Sequence, residues 1–161
     1  MKIGIISDTH GILPDAVFDI FSDIDHIFHA GDIGNQEVIH GLEIIGPVHA
    51  VYGNIDTWPL VIKYPDIYIT TLENKRICLV HDIVKPKYFS YQLFKKGIEV
   101  DIVIHGHTHV AGVEYFRHLL YINPGSVSKP RARQNGTLAI LDLNKYPLKP
   151  LFIELKEKPQ K

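Results

Sequence analysis

Along the first half of the chain, short apolar runs of strand length alternate with stretches of helical spacing, and each run ends in a polar turn. Lys2-Ile3-Gly4-Ile5-Ile6-Ser7 stops at Asp8-Thr9-His10-Gly11, and an apolar run bounded by polar residues and glycine reads as a buried strand. Behind Pro14, tolerated at a helix start, Val17, Phe18, Phe21 and Ile24 recur at helical spacing and predict a helix over 14–24. A second strand over 25–30 ends in Gly31-Asp32-Ile33-Gly34-Asn35, a helix covers 36–45, and a third strand over 47–52 ends in Gly53-Asn54-Ile55-Asp56. Asn35 opens its helical stretch and reads as the N-cap. Repeated strand-then-helix units predict a parallel α/β layer, whose function collects beyond the carboxyl ends of the strands.

The second half is richer in strands. Residues 67–72 and 76–80 read as a hairpin running into His81-Asp82, and helical spacing over 86–98 ends at Gly97. Asp101 to Ile104 is a strand entering His105-Gly106-His107-Thr108-His109, and further runs at 110–115, 119–122, 136–143 and 150–155 complete a strand-rich end. The fold class expected is α/β: two mixed β-sheets, each covered by helices. One domain is expected over 1–155, followed by a charged tail over 156–161.

Composition narrows this little. The chain has 161 residues, 45% hydrophobic and 22% charged, with a formal net charge of −1, which suits one globular domain and gives no overall basic bias towards nucleic acid. The one cysteine, Cys78, lies in an apolar run and cannot form an internal disulfide. No apolar run approaches the roughly 20 residues of a membrane span. A cytoplasmic location with no membrane partner is therefore expected.

The chemistry sits at the strand ends. Asp8 and His10, Asp32, Asn54, His81, and His107 and His109 all follow apolar strands directly. In extended chain, residues two apart face the same side, so Asp8 with His10, and His107 with His109, are each expected to converge. Neither a glycine-rich phosphate cradle nor a serine elbow competes for the role. Two carboxylates, four imidazoles and one amide oxygen form a mixed nitrogen and oxygen set suited to two divalent ions bridged by a carboxylate. Counting the ions against two carboxylates and a bridging hydroxide leaves about one net positive charge. Such a pocket favours a phosphate ester, with the hydroxide as in-line nucleophile.

The order D-x-H, G-D, G-N-x-D, H, G-H-x-H and N-P-G-S resembles the calcineurin-like metallophosphoesterase superfamily, and within it the small single-domain phosphodiesterases of bacteria and archaea. The likeness runs from Lys2 to about Leu143. It implies a four-layer αββα sandwich. It also implies one metal on Asp8, His10, Asp32 and His109, and a second on the bridging Asp32, Asn54, His81 and His107. Asp32, Asn54 and His81 would be the catalytic group. Asp56 would orient the Asn54 loop or bound water, and His105 would be a core or supporting imidazole. Ser126 of the N-P-G-S turn and Arg131 are candidate substrate contacts, and His29 is offered a supporting place beside Asp32. His26, His40, His49 and His118 fit no ligand position.

Two positions depart from the pattern. Ile55 stands where the wider superfamily often has a histidine that assists the leaving group. Asp82 follows His81 where relatives usually have glycine, and either orients His81 or stands in solvent. The function expected is dinuclear hydrolysis of small phosphodiesters, with Mn²⁺ as activator and Ni²⁺, Co²⁺, Fe or Zn²⁺ as alternatives. The rivals are a protein-binding scaffold like the retromer subunit of this fold, and a nuclease, for which the chain lacks length and basic bias. A homo-oligomer stays open.

Overall fold

The computed structural model describes residues 1–131 and 135–155. The tail over 156–161 lies outside the described residues. One sheet has the order β10-β9-β1-β2-β3, from strands β1 (Lys2–Ile6), β2 (His26–His29), β3 (Val48–Ala50), β9 (Gly136–Asp142) and β10 (Leu151–Leu155). The other has the order β4-β5-β6-β8-β7, from β4 (Ile67–Leu72), β5 (Lys75–Val80), β6 (Ile102–Ile104), β7 (Gly112–Phe116) and β8 (Leu119–Asn123). Each has a parallel centre, β1-β2-β3 in the first and β5-β6-β8 in the second, with antiparallel strands at the flank.

Three apolar layers make this a four-layer αββα sandwich. Ile3, Ile5 and Phe28 of the first sheet meet Ile77, Leu79, Ile102, Ile104 and Ile122 of the second in the central layer. On its other face the first sheet packs Ile6 and Ile27 against Val17 of α1 (Ala16–Ile20) and Val38, Ile39 and Leu42 of α2 (Gln36–Ile45). The second sheet packs Cys78, Val103 and Tyr121 against Phe89 and Leu93 of the helix over Pro86–Lys95. Burial on both faces explains why the strands read as unbroken apolar runs rather than alternating ones.

Two local readings change. The first helix covers only Ala16–Ile20, and Phe21 and Ile24 pack from the turns that follow. The Ser22 hydroxyl donates to the Asp19 carbonyl at 2.9 Å, the kind of local bond that competes with continuing the helix. Between β3 and β4, where the sequence shows only a loop, a one-turn helix α3 (Leu60–Lys63) forms after Pro59, which makes the Pro86–Lys95 helix α4. Four residues are too few for a periodic signal.

Candidate metal centre

The strand ends meet where the two sheets adjoin. Asp8 and His10 follow β1, Asp32 follows β2, Asn54 follows β3, His81 follows β5, and His107 and His109 follow β6. Asp8, His10, Asp32 and His109 each place one nitrogen or oxygen within 4.8 Å of the others. His10 Nε2 stands 3.9 Å from Asp32 Oδ2, and His109 Nε2 stands 3.2 Å from Asp8 Oδ1. The remaining residues gather on the other side of Asp32. His81 Nε2 is 3.3 Å from Asp32 Oδ1, and Asn54 Oδ1 is 3.0 Å from both His81 Nε2 and His107 Nδ1. Asp8 and Asp32 form the buried floor, while Asn54 and His107 are exposed at the mouth.

Convergence is achieved by a different backbone from the one expected. Asp8, His10, Asp32, His107 and His109 have φ of 53°, 47°, 53°, 68° and 60°, five of the nine described non-glycine residues with positive φ. None of these five is extended, so alternation is not what aims the pairs. Left-handed backbone is costly for such residues, persists only where the surroundings enforce it, and concentrates at functional sites. Glycine makes room for it. A Cβ at Gly53 would come within 2.2 Å of Asp32 Oδ1, and one at Gly106 within 2.0 Å of Ser7 Oγ and 2.7 Å of Asp8 Oδ2.

Backbone partners fix the rings. The Nδ1 of His81 lies 2.8 Å from the Ala30 carbonyl, and that of His109 lies 2.6 Å from the Lys129 carbonyl. Each must donate there, which leaves a lone pair on Nε2 facing the carboxylates. Asp8 Oδ2 accepts the His107 N–H at 3.2 Å. Among the described residues Asp8 Oδ1 is buried without a hydrogen bond, even with His109 Nε2 close by, because that nitrogen offers a lone pair. A buried carboxylate oxygen facing imidazole lone pairs, in a mixed nitrogen and oxygen set, fits a divalent cation. Burial pushes the Asp8 carboxyl above its ordinary pKa and the His10 imidazole below its own. Both shifts favour the forms that carry less charge.

A shell of polar groups supports the loops. Asp56 is buried and accepts N–H groups from Gly53 at 2.8 Å, Ile33 at 3.1 Å and Gly34 at 2.7 Å, tying the Asn54 loop to the Asp32 loop. His29 is fully buried. Its Nδ1 accepts the Gly31 N–H at 3.2 Å, so its Nε2–H donates to Thr9 Oγ1 at 2.9 Å, and Thr9 passes a bond to the Ile33 carbonyl at 2.8 Å. Asn35 caps α2, accepting from the Val38 N–H.

The other residues that the sequence singles out take the following places. Ser126 is fully buried, donates to the Asp8 carbonyl at 2.7 Å and accepts the Lys129 N–H at 2.9 Å. It holds the Asp8 backbone and has no surface to offer a substrate. Asp82 does not reach His81. Its Oδ1 accepts the Val84 N–H at 3.0 Å, and its Oδ2 lies 3.8 Å from His107 Nε2. His105 meets Asn123 and Tyr121, and burial drives its pKa down to about 4. Arg131 is exposed. The Lys129 carbonyl and the Ser128 hydroxyl, which lies 3.2 Å from the Asp8 carbonyl, carried no signal beyond their nearness to the turn at Ser126.

Residues 1–146 match the calcineurin-like phosphoesterase superfamily domain. A probable metallophosphoesterase of Methanothermobacter thermautotrophicus is 38% identical over 147 residues, spanning 87% of this chain and 85% of that protein. A solved archaeal phosphodiesterase superposes with a TM-score of 0.78 at 28% identity, covering 95% of this chain and all of that one. Vps29 of Chaetomium thermophilum superposes with a TM-score of 0.83 at 17% identity, over 99% of this chain and 91% of its own, a likeness of fold alone.

Proposed function

The chain belongs to the calcineurin-like phosphoesterase superfamily and is a metal-dependent phosphoesterase, and from that premise we propose a phosphodiesterase that works with two divalent ions on small diesters. One position would be held by Asp8, His10, Asp32 and His109, the other by Asp32, Asn54, His81 and His107. The observation that carries two positions rather than one is the division of the Asp32 carboxylate, with Oδ2 3.9 Å from His10 and Oδ1 3.3 Å from His81. Bound there, such ions supply Lewis acidity and a water of lowered pKa, and the donor set suits Mn²⁺, with Fe, Co²⁺, Ni²⁺ or Zn²⁺ as alternatives.

The protein's own contribution is position and charge. Asp8 and Asp32 place two carboxylates on a buried floor, where each counts for more than at a surface. His81 and His109 arrive with their tautomers set by backbone carbonyls. Asn54 and His107, exposed at the mouth, stand where the phosphate enters. The catalytic weight falls on Asp32, Asn54 and His81. No helix among the described residues is long and apolar enough to cross a membrane, and a cytoplasmic enzyme remains the reading for location. A protein-binding scaffold has the likeness to Vps29 in its favour, but that likeness is at 17% identity, whereas the relative at 38% identity is named a probable metallophosphoesterase.

Asp32→Ala tests the reading. Metal content and hydrolysis of bis(4-nitrophenyl) phosphate are measured on both proteins after loading with Mn²⁺. Loss of metal from both positions together with loss of turnover is expected. A variant that keeps two ions and normal turnover refutes the shared carboxylate, and a wild type that binds metal without hydrolysing any diester moves the chain towards the scaffold.

A further inference from the structure

Beside Asn54 and His81 opens a cavity of about 570 Å³. Tyr52, which follows β3, lines it, as do Tyr88 and Gln92, four positions apart on α4. Residues at that spacing share one helix face. Val84 adds an apolar wall from the loop before α4. It holds a left-handed φ of 58°, a conformation that is a true outlier for a β-branched residue.

Charge sorts what this cavity can take. Two carboxylates line it, Asp66 and Asp82, and neither lysine nor arginine is among its described lining residues. A second cavity, of about 490 Å³ across the same loop, adds Lys85 and Lys87 to its carboxylates Asp82 and Glu114. The cavity beside Asn54 therefore opposes a further phosphate and admits an uncharged group. Aromatic walls with a few polar atoms at one side are the make-up of a site for a flat organic ring. Gln92 supplies both a donor and an acceptor, enough to meet the edge of a heterocycle.

We propose that this cavity holds the organic group of the diester, and that the group is planar, uncharged and aromatic, of the nucleobase type, stacked on the tyrosines with Gln92 at its edge. The proposal rests on the phosphodiesterase reading above and adds the substrate class to it. The phosphate lies at Asn54 and His81, and the ring extends towards α4. Tyr88 is 59% exposed, so it can be changed without emptying the core.

Binding to the Mn²⁺-loaded full chain is measured by calorimetry for adenosine 5′-monophosphate, ribose 5-phosphate and hexyl phosphate. Turnover of bis(4-nitrophenyl) phosphate is followed in the same preparations. Stacking of one base on an aromatic side chain gains about fivefold to a hundredfold, so the nucleotide is expected to bind at least about fivefold tighter than the sugar phosphate in the wild type. Tyr88→Ala removes that gap and leaves ribose 5-phosphate binding as it was, while Tyr88→Phe keeps the gap. Diester turnover with no gap in the wild type, equal weakening of both ligands in Tyr88→Ala, or hexyl phosphate binding as tightly as the nucleotide overturns the cavity assignment alone. Neither sugar-phosphate binding nor diester turnover in the wild type overturns the assignment and the phosphodiesterase reading together.

Discussion

His10 Nε2 and His109 Nε2 face each other across 3.3 Å. The second of these nitrogens carries a lone pair, because His109 Nδ1 donates to the Lys129 carbonyl. His10 can answer it with its own proton at Nε2, or with a lone pair if a cation sits between them. In the second case His10 must carry its proton at Nδ1. The pair is thus a competition between protons and a metal.

Acid will decide that competition. Each imidazole binds a cation only when neutral, so metal is released as pH falls and the rings protonate. Burial holds His10 below its ordinary pKa, so this ring resists protonation to a lower pH than a free histidine. Occupancy is expected to be full near pH 7 and to fall steeply below about pH 6, since the ordinary histidine pKa is roughly 6.5. Equilibrium dialysis against Mn²⁺ from pH 4 to pH 8 measures it. An occupancy that stays flat down to pH 4 would count against histidine ligation.

Asp56 gives a prediction that separates position from chemistry. Its carboxylate accepts three N–H groups from the two loops that carry Asp32 and Asn54. Asp56→Ala leaves the Ile33 and Gly53 N–H groups, both on buried residues, without an acceptor, a loss of about 2–4 kcal/mol. Asp56→Asn can accept some of them but lacks the charge, so an intermediate loss is expected. Urea denaturation gives the stability and metal titration gives the affinity. If Asp56→Ala lowers stability while metal affinity stays at the wild-type value, the carboxylate braces the fold without positioning the ligands.

Much of this arrangement was legible in the sequence, though partly for the wrong reason. The apolar runs marked the strands because both faces of each sheet are buried. The residues after those runs marked the centre because parallel strands bring their carboxyl ends together. Asp8 and His10 were read as converging from extended chain, yet both sit in the left-handed region, and their convergence comes from the loops around them. His105, which makes a second H-x-H with His107, was read as a core or supporting imidazole, and the structure gives the reason. The strand pairing runs one residue past β6, with the His105 N–H donating to the Ile122 carbonyl at 3.0 Å, so His105 still belongs to the sheet.

Ser126 and the walls of the cavity beside Asn54 were out of reach for another reason. Their roles depend on partners far away in sequence, such as the Asp8 carbonyl bonded by Ser126, and no local pattern encodes those.

His29 predicts how stability depends on pH. Its Nδ1 accepts the Gly31 N–H, a role open only to a neutral ring, and burial lowers its pKa from 6.5 to about 4. The unfolded chain therefore binds a proton at a higher pH than the folded one does. The stability this ring contributes is whole above pH 6.5 and is lost as pH falls towards about 4. His105, also lowered to about 4, adds to the same slope. Thermal unfolding of His29→Gln, which keeps an acceptor and a donor but does not titrate, is expected to show a shallower fall in Tm over that range. A slope identical to that of the wild type would assign the acid sensitivity to other groups.

Ile55 leads to a prediction about leaving groups. Its backbone N–H donates to Asp32 Oδ1 at 3.0 Å, and its side chain is 42% exposed beside the centre. In-line attack at phosphorus expels an alkoxide or a phenoxide, and the poorer leaving group needs a proton as its bond breaks. General-acid help of this kind is typically worth about 10²–10⁴-fold. Isoleucine has no proton to give. His105 does not replace it, because that ring is turned to Asn123 and Tyr121 and its low pKa keeps it neutral near pH 7. The hypothesis is that the wild type favours diesters with acidic leaving groups, such as aryl esters, and is slow on alkyl esters. Ile55→His is then expected to raise kcat/KM for an alkyl diester more than for an aryl diester, with the gain growing as pH falls towards the pKa of the new imidazole and metal content held at the wild-type level. Both substrates are assayed in both proteins between pH 6 and pH 8. Equal changes for the two esters would show that leaving-group assistance is not what Ile55 lacks, and the preference would then belong to the shape of the pocket.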